Sequence, residues 1–151
     1  IRDSIRPTSR GEIIISSNDT KVNPKIKMNY LSTDEDRKVA ADGIKLIRKI
    51  VMETNEFKKY EPEEFRPGSH LNDKEEIVKA CSHYAQTIFH PVGTCKMGND
   101  DSAVVSDKLK VHGLNKLRVI DASIMPNITS GNTNAPTIMI AEKGADMILN
   151  P

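Results

Sequence analysis

The spacing of apolar and polar side chains divides the chain into short strands and longer helices. Residues 12–17 are largely β-branched and are closed by the turn pair Asn18-Asp19, which predicts a strand. Residues 25–31 alternate with a period of two and place Ile26, Met28 and Tyr30 on one face. They predict a half-buried strand antiparallel to the first. From Ser32 the period lengthens: Ser32 and Glu35 form a capping box, acidic residues fill the first turn, and Ala40, Ile44, Ile47 and Val51 mark a helix running to near Thr54. Residues 55–68 are charged, carry Pro62 and Pro67 and lack a period, so they predict a surface loop that covers something. Asn72 and Glu75 open a second helix with Ile77, Cys81, Tyr84 and Ile88 on its apolar face.

Residues 89–98 hold a proline and two glycines and cannot continue that helix, so they form a shaped loop. Short pairings are expected at Val104-Val105 and at Leu109 and Val111, and a strand at residues 117–121 ends on Asp121. Pro136 is well suited to the first position of a last helix, with Ile138, Ala141, Ala145 and Ile148 as its apolar stripe.

Composition narrows the classes. A chain of 151 residues favours one domain with a real core, and Lys+Arg 22 against Asp+Glu 21, with the signs mixed along the chain, offers no basic track for nucleic acid. The longest apolar runs are a few residues, far short of a membrane span. Cys81 and Cys95 are too few for a disulfide framework; the 13 residues between them permit a single bridge without requiring one, and they read as thiols in a reducing, cytoplasmic setting. Aromatic residues are 4 % of the chain and Trp is absent, which leaves a thin core. Together with an Ile at position 1 and no signal-type segment after it, this leads to the expectation that the chain is a piece of a longer protein.

Among the histidines, His90 stands out at the break between a helix and the Pro/Gly loop, where a backbone can hold an imidazole rigidly. A structural C-terminal helix cap is the alternative. His70 lies in a polar loop, His83 on a polar helix face, and His112 before a turn glycine, so all three have weaker claims. The small-residue run Thr129-Ser130-Gly131-Asn132-Thr133-Asn134-Ala135-Pro136-Thr137 feeds a helix N-terminus, which suits an anion or a polarised carbonyl; the alternative is an ordinary cap by Asn134. Cys81, His83, His90 and Cys95 match no metal-ligand spacing, and no GxGxxG or Walker pattern occurs.

Four blocks, in order, carry a resemblance. They are His90-Pro91-Val92-Gly93-Thr94-Cys95-Lys96-Met97-Gly98, then Leu109-Lys110-Val111-His112-Gly113-Leu114, then Leu117-Arg118-Val119-Ile120-Asp121-Ala122-Ser123-Ile124-Met125-Pro126, and finally the stretch from Ser130-Gly131-Asn132-Thr133-Asn134-Ala135-Pro136 to Lys143. They closely resemble the C-terminal domain of glucose-methanol-choline (GMC) oxidoreductases, and Pro7-Thr8-Ser9-Arg10-Gly11 with Asn29-Tyr30-Leu31 is similar to that domain's opening. The resemblance implies an α+β fold over residues 1–151: a mixed, largely antiparallel sheet with helices packed on one side, plus a C-terminal segment belonging to the FAD-binding part.

It also implies a flavoenzyme oxidising the CH–OH group of an alcohol, with FAD as cofactor and an N-terminal FAD-binding half as partner of this domain. A non-catalytic binding module derived from such a domain is the alternative. His90 matches the family's catalytic base, and Asn132 its second active-site position, which is His or Asn in different members. Asp121 and Ala122 are implied near the FAD ribityl and pyrophosphate, and Thr133 and Asn134 at the isoalloxazine pyrimidine edge. The Asn132 version is more similar to choline and other alcohol dehydrogenases than to fungal glucose oxidases. One departure is visible: the family's Val-Val-Asp reads Val104-Val105-Ser106, with Asp107 one place late.

Overall fold

The structure is a computed structural model that describes residues 6–150. The chain forms two compact units, Ile1–Gln86 and Thr87–Pro151. The α+β class holds. The sheet among the described residues is smaller than the resemblance implies: two antiparallel strands, β1 (Glu12–Ile14) and β2 (Lys25–Lys27), pair with Ile13 opposite Ile26. Both strands are exposed, so residues 25–31 are not the half-buried strand their alternation predicts. No helix among the described residues packs on the hairpin to cover either face. Gly11 enters β1 so close to β2 that a Cβ there would overlap the Lys27 carbonyl oxygen and stand 2.8 Å from that of Met28.

The first helix, α1 (Asp34–Glu53), starts two residues after Ser32, with Thr33 rather than Ser32 as its N-cap; the Thr33 hydroxyl accepts the Asp36 N–H. Asp36 is buried, although its position in an acidic first turn reads as solvated. Its carboxylate accepts the N–H groups of Thr8 and Ser9 at 2.8 and 2.9 Å and the Thr8 hydroxyl, so it clasps the incoming chain to the helix. Burial pushes its carboxyl up, but hydrogen bonds from Ser9 and Thr8 outweigh that and hold it below its ordinary value.

After the one-turn α2 (Asn55–Lys58), residues 59–72 return along α1 before α3 (Lys74–Tyr84) begins, capped by Asp73 rather than Asn72. The small core of this unit joins Ala41 of α1 to Ile77 and Val78 of α3, flanked by Ile44, Leu71 and Cys81. Ala41 rather than Ala40 is the buried residue, and Ile47 is exposed: of the expected stripe Ile44 is the residue that flanks this core.

The second half of α1 is held by polar contacts. Arg48 makes a two-pronged ion pair with Glu64, both bonds at 2.8 Å, and donates to the carbonyls of Leu71 and Gly68, while Glu64 also accepts the Gly68 N–H. The loop thus covers α1, as its lack of periodicity anticipates, leaving a groove of about 350 Å³ between the helix and residues 63–67. The helix α3 stops at Tyr84, with the Ala85 N–H closing on the Cys81 carbonyl, so Ile88 is not part of it.

The second unit has almost no regular sheet. Residues 117–121 form a single bridge, Arg118 to Lys110, rather than a strand, and Val105 bridges Met97 on one side and Val111 on the other. Its core is Val105, Leu109, Ile124, Met125 and Ile140. The last helix, α4 (Asn134–Leu149), starts two residues before Pro136. Its buried positions are Ile140 and Gly144, and the expected stripe is the outward one: Ile138 and Ile148 are more than half exposed. The helix is apolar on several sides, so periodicity does not fix which face is buried. Gly144 decides it, because a Cβ there would overlap the Ile120 side chain. Cys81 and Cys95 are both free, and burial raises the Cys81 thiol. No helix among the described residues is long and apolar enough to cross a membrane.

Removing Arg48 strands a largely enclosed carboxylate, so Arg48→Met is expected to destabilise the first unit by about 3 kcal/mol in urea unfolding; an unchanged midpoint would contradict the clamp. Asp36 and Glu64 both sit below their ordinary values, Glu64 chiefly through its hydrogen bonds from Arg48. Their stabilisation is complete above about pH 4 to 5 and is lost as pH falls through the folded values. Melting temperature should therefore fall on acidification below about pH 4, and less steeply in Asp36→Asn, whose starting stability is lower.

Candidate active site

The candidate residues lie on three segments of the second unit, each fixed by backbone geometry. His90 belongs to the loop that leaves the helical region. Since α3 ends at Tyr84, six residues earlier, His90 does not cap it, which removes the capping alternative. The residue is half-buried and Asn132 is exposed, and among the described residues neither the His90 ring nor the Asn132 amide makes a hydrogen bond.

The loop on the C-terminal side of His90 is tightly pinned. Gly93 has φ +88, which favours glycine, and a Cβ there would crowd the Met125 carbonyl at 3.2 Å. The N–H groups of Cys95 and Met97 donate to the carbonyls of Ser123 and Ile124 at 3.0 and 2.7 Å, fastening this loop to the segment that carries Asp121 and Ala122. Lys96 and Ser102 both donate to Asp100, whose carboxyl they hold well below the usual carboxylate range, Ser102 being the larger influence. His112 serves structure, as its position before a glycine indicates: its Nε2–H donates to the Gly98 carbonyl at 3.0 Å.

Asp121 ends the second segment in extended backbone, and its carboxylate caps a single 3₁₀ turn, Ala122–Ile124, by accepting the Ser123 N–H at 2.7 Å. Asp121 is exposed and Ala122 half-buried. That turn packs on α4, which brings the third segment into the same unit.

At the start of α4 the N-cap is Thr133, not Asn134, and it makes no side-chain cap bond. Thr133 is buried and its carbonyl accepts both the N–H and the hydroxyl of Thr137. Asn134 is the first helical residue and is exposed, so its amide is not spent on capping. The N–H groups of Asn134 and Ala135 therefore open the helix with no side chain as acceptor, and with the positive end of the helix dipole behind them. Just before it, Thr129 Oγ1 is buried without a hydrogen-bond partner, and a Cβ at Gly131 would meet nothing within 4 Å. The sequence places Thr129 in this loop but carries no signal for its burial, since only packing decides which hydroxyl of a Ser/Thr run is enclosed.

The family model for GMC oxidoreductases matches residues 7–141. The chain belongs to the GMC oxidoreductase family. Among curated members, an oxygen-dependent choline dehydrogenase of Proteus mirabilis (strain HI4320) is 48 % identical over 145 residues, covering 96 % of this chain and 26 % of that protein. Among solved structures, pyridoxine 4-oxidase from Mesorbium loti superposes with a TM-score of 0.89 at 35 % identity, over 97 % of this chain and 28 % of that one. An FAD-dependent oxidoreductase from Chaetomium thermophilum does so at 0.88 and 30 %, over 95 % and 25 %. The chain thus spans about a quarter of the length of the GMC relatives it matches.

Because Asn134 is not the cap of α4, Asn134→Ala should change stability by no more than about 0.5 kcal/mol, the usual range for an exposed position without a structural contact. A loss near the 1 kcal/mol typical of an N-cap would restore the capping role.

Proposed function

We propose that this chain is the substrate-binding and catalytic C-terminal domain, residues 1–151, of an FAD-dependent GMC oxidoreductase that oxidises the CH–OH group of a choline-like or other primary alcohol. The observation that carries this reading is 46–48 % identity to oxygen-dependent choline dehydrogenases over 96 % of the chain. The cofactor would be held jointly with an N-terminal FAD-binding half, since the chain has no dinucleotide-binding loop of its own.

The residues present fit such a group. An electron-rich ring edge with acceptor oxygens needs donors, and the start of α4 offers the uncapped N–H groups of Asn134 and Ala135, with Thr133 beside them and an orphaned hydroxyl at Thr129 in the preceding loop. Thr133 and Asn134 would hold the pyrimidine edge, and Asp121 and Ala122 would lie toward the ribityl and pyrophosphate. When bound, FAD supplies the hydride acceptor at N5.

In this reading His90 accepts the substrate hydroxyl proton as general base, and its ring has no competing hydrogen bond among the described residues to satisfy first. The Asn132 amide donates to the oxygen as negative charge develops there. The helix dipole at Asn134 favours negative charge at the same end of α4. The tight loop after His90 keeps the base from drifting when substrate enters.

In the full-length enzyme, His90→Ala should lower kcat/KM by roughly 10² to 10⁴-fold at unchanged flavin content. Asn132→Ala should slow flavin reduction in stopped flow by up to about 10³-fold, while Asn132→His, the other family option, retains much more activity. Near-normal turnover in His90→Ala would refute the base, and a parent reduction rate in Asn132→Ala would refute the alkoxide contact.

A further inference from the structure

The backbone immediately before His90 is held in a conformation that its side chains do not favour. Phe89 has φ +65, in the left-handed region that glycine occupies freely and that is an outlier for a bulky residue. Burial of the ring does not offset this, because Phe89 is 82 % exposed. One local hydrogen bond supports the turn: the Thr87 hydroxyl oxygen accepts the Phe89 N–H at 3.0 Å. On the other side of His90, Pro91 has its own φ fixed by its ring and biases His90 toward extended backbone, and Gly93 is locked beneath the Met125 carbonyl. His90 therefore sits between a covalent constraint after it and a single hydrogen-bonded turn before it. The Thr87 bond is the reversible member of that pair.

We propose that Thr87 is a positioning residue for His90: by accepting the Phe89 N–H it keeps Phe89 left-handed and so sets the direction in which the imidazole leaves the backbone. The inference rests on the reading of His90 as the base and goes beyond it, assigning the base's orientation to a hydroxyl three residues earlier. If the bond is lost, Phe89 relaxes toward negative φ and the chain enters His90 along a different line. A base must reach its proton within a hydrogen-bond length, and a displacement of about 1 Å at a reacting group costs on the order of 10²-fold in rate.

The test uses the full-length, flavin-loaded enzyme. Thr87→Val keeps the shape and deletes the acceptor; Thr87→Ser keeps the acceptor; Thr87→Ala is a second deletion should the valine variant fold poorly. The deletions should lower kcat by about 10 to 10²-fold, with KM and flavin content close to the parent. Thr87→Ser should restore most of the rate, and hydrogen exchange at the Phe89 amide should accelerate in the valine variant but not in the serine one. Added to His90→Ala, Thr87→Val should cause no further loss, because there is no base left to misplace. Parent kcat in both deletions, equal losses in Ser and Val, or an undiminished further loss on top of His90→Ala would each overturn the proposal. A slow His90→Ala enzyme alongside parent rates in the Thr87 deletions refutes this inference alone. Full turnover in His90→Ala refutes it together with the reading of His90 beneath it.

Discussion

The second unit depends on a backbone seam in which the loop after His90 lies along the segment that begins at Asp121. The Cys95 and Met97 N–H groups donate to Ser123 and Ile124, and Gly93 nests against Met125. A conventional unit would build this join as a sheet, but the bridges here are isolated, and Val105 alone links two of them. A side chain at Gly93 would be strained by its φ of +88 and would crowd the Met125 carbonyl at this join between the His90 loop and the 3₁₀ turn that packs on α4. Ile124 and Met125, whose backbone takes part in this seam, also belong to the apolar core with Val105, Leu109 and Ile140, so packing and backbone pairing act on the same segment.

The first unit solves a different shortage. Its apolar core is three buried residues and their flanks, and it uses charge where the core runs out. Asp36 ties the entering chain to the start of α1, and Arg48 ties a prolyl loop to its second half through Glu64 and two carbonyls. Both clasps centre on carboxylates satisfied by several donors, which is why their proton affinity falls despite burial. Such clasps are directional and acid-sensitive in a way that an apolar contact is not.

Large apolar residues remain exposed in both units: Ile13, Ile14 and Ile26 on the hairpin, and Ile138, Met139 and Ile148 on α4. A hairpin of two exposed strands is marginal by itself, and a helix that is apolar on more than one side normally lies between layers. These features agree with a chain that spans about a quarter of its relatives' length.

By itself the sequence determined the two hairpin strands, the three long helices and their order, the shaped loop around His90, the small-residue approach to α4 and the family, because period, turn residues and spaced motifs are local properties; it did not determine the single bridge that replaces a strand at residues 117–121, or the short turns Asn55–Lys58 and Ala122–Ile124. It misplaced what depends on a partner. Helix starts moved by one or two residues because Thr33, Asp73 and Thr133 rather than their neighbours occupy the cap positions, and α3 ended before Ile88 because the chain turns away at Ala85. The buried face of α4 was decided by Gly144 against Ile120, a contact between residues far apart in the chain that no periodicity encodes. The roles of Asp36 and Arg48 and the orphaned hydroxyl of Thr129 were likewise settled only by tertiary structure, whereas the left-handed turn at Phe89 is local, through the Thr87 hydroxyl, and has no signature in the periodicity. Burial and the pairing of a buried polar group are consequences of what stands opposite a residue in space, not of its neighbours along the chain.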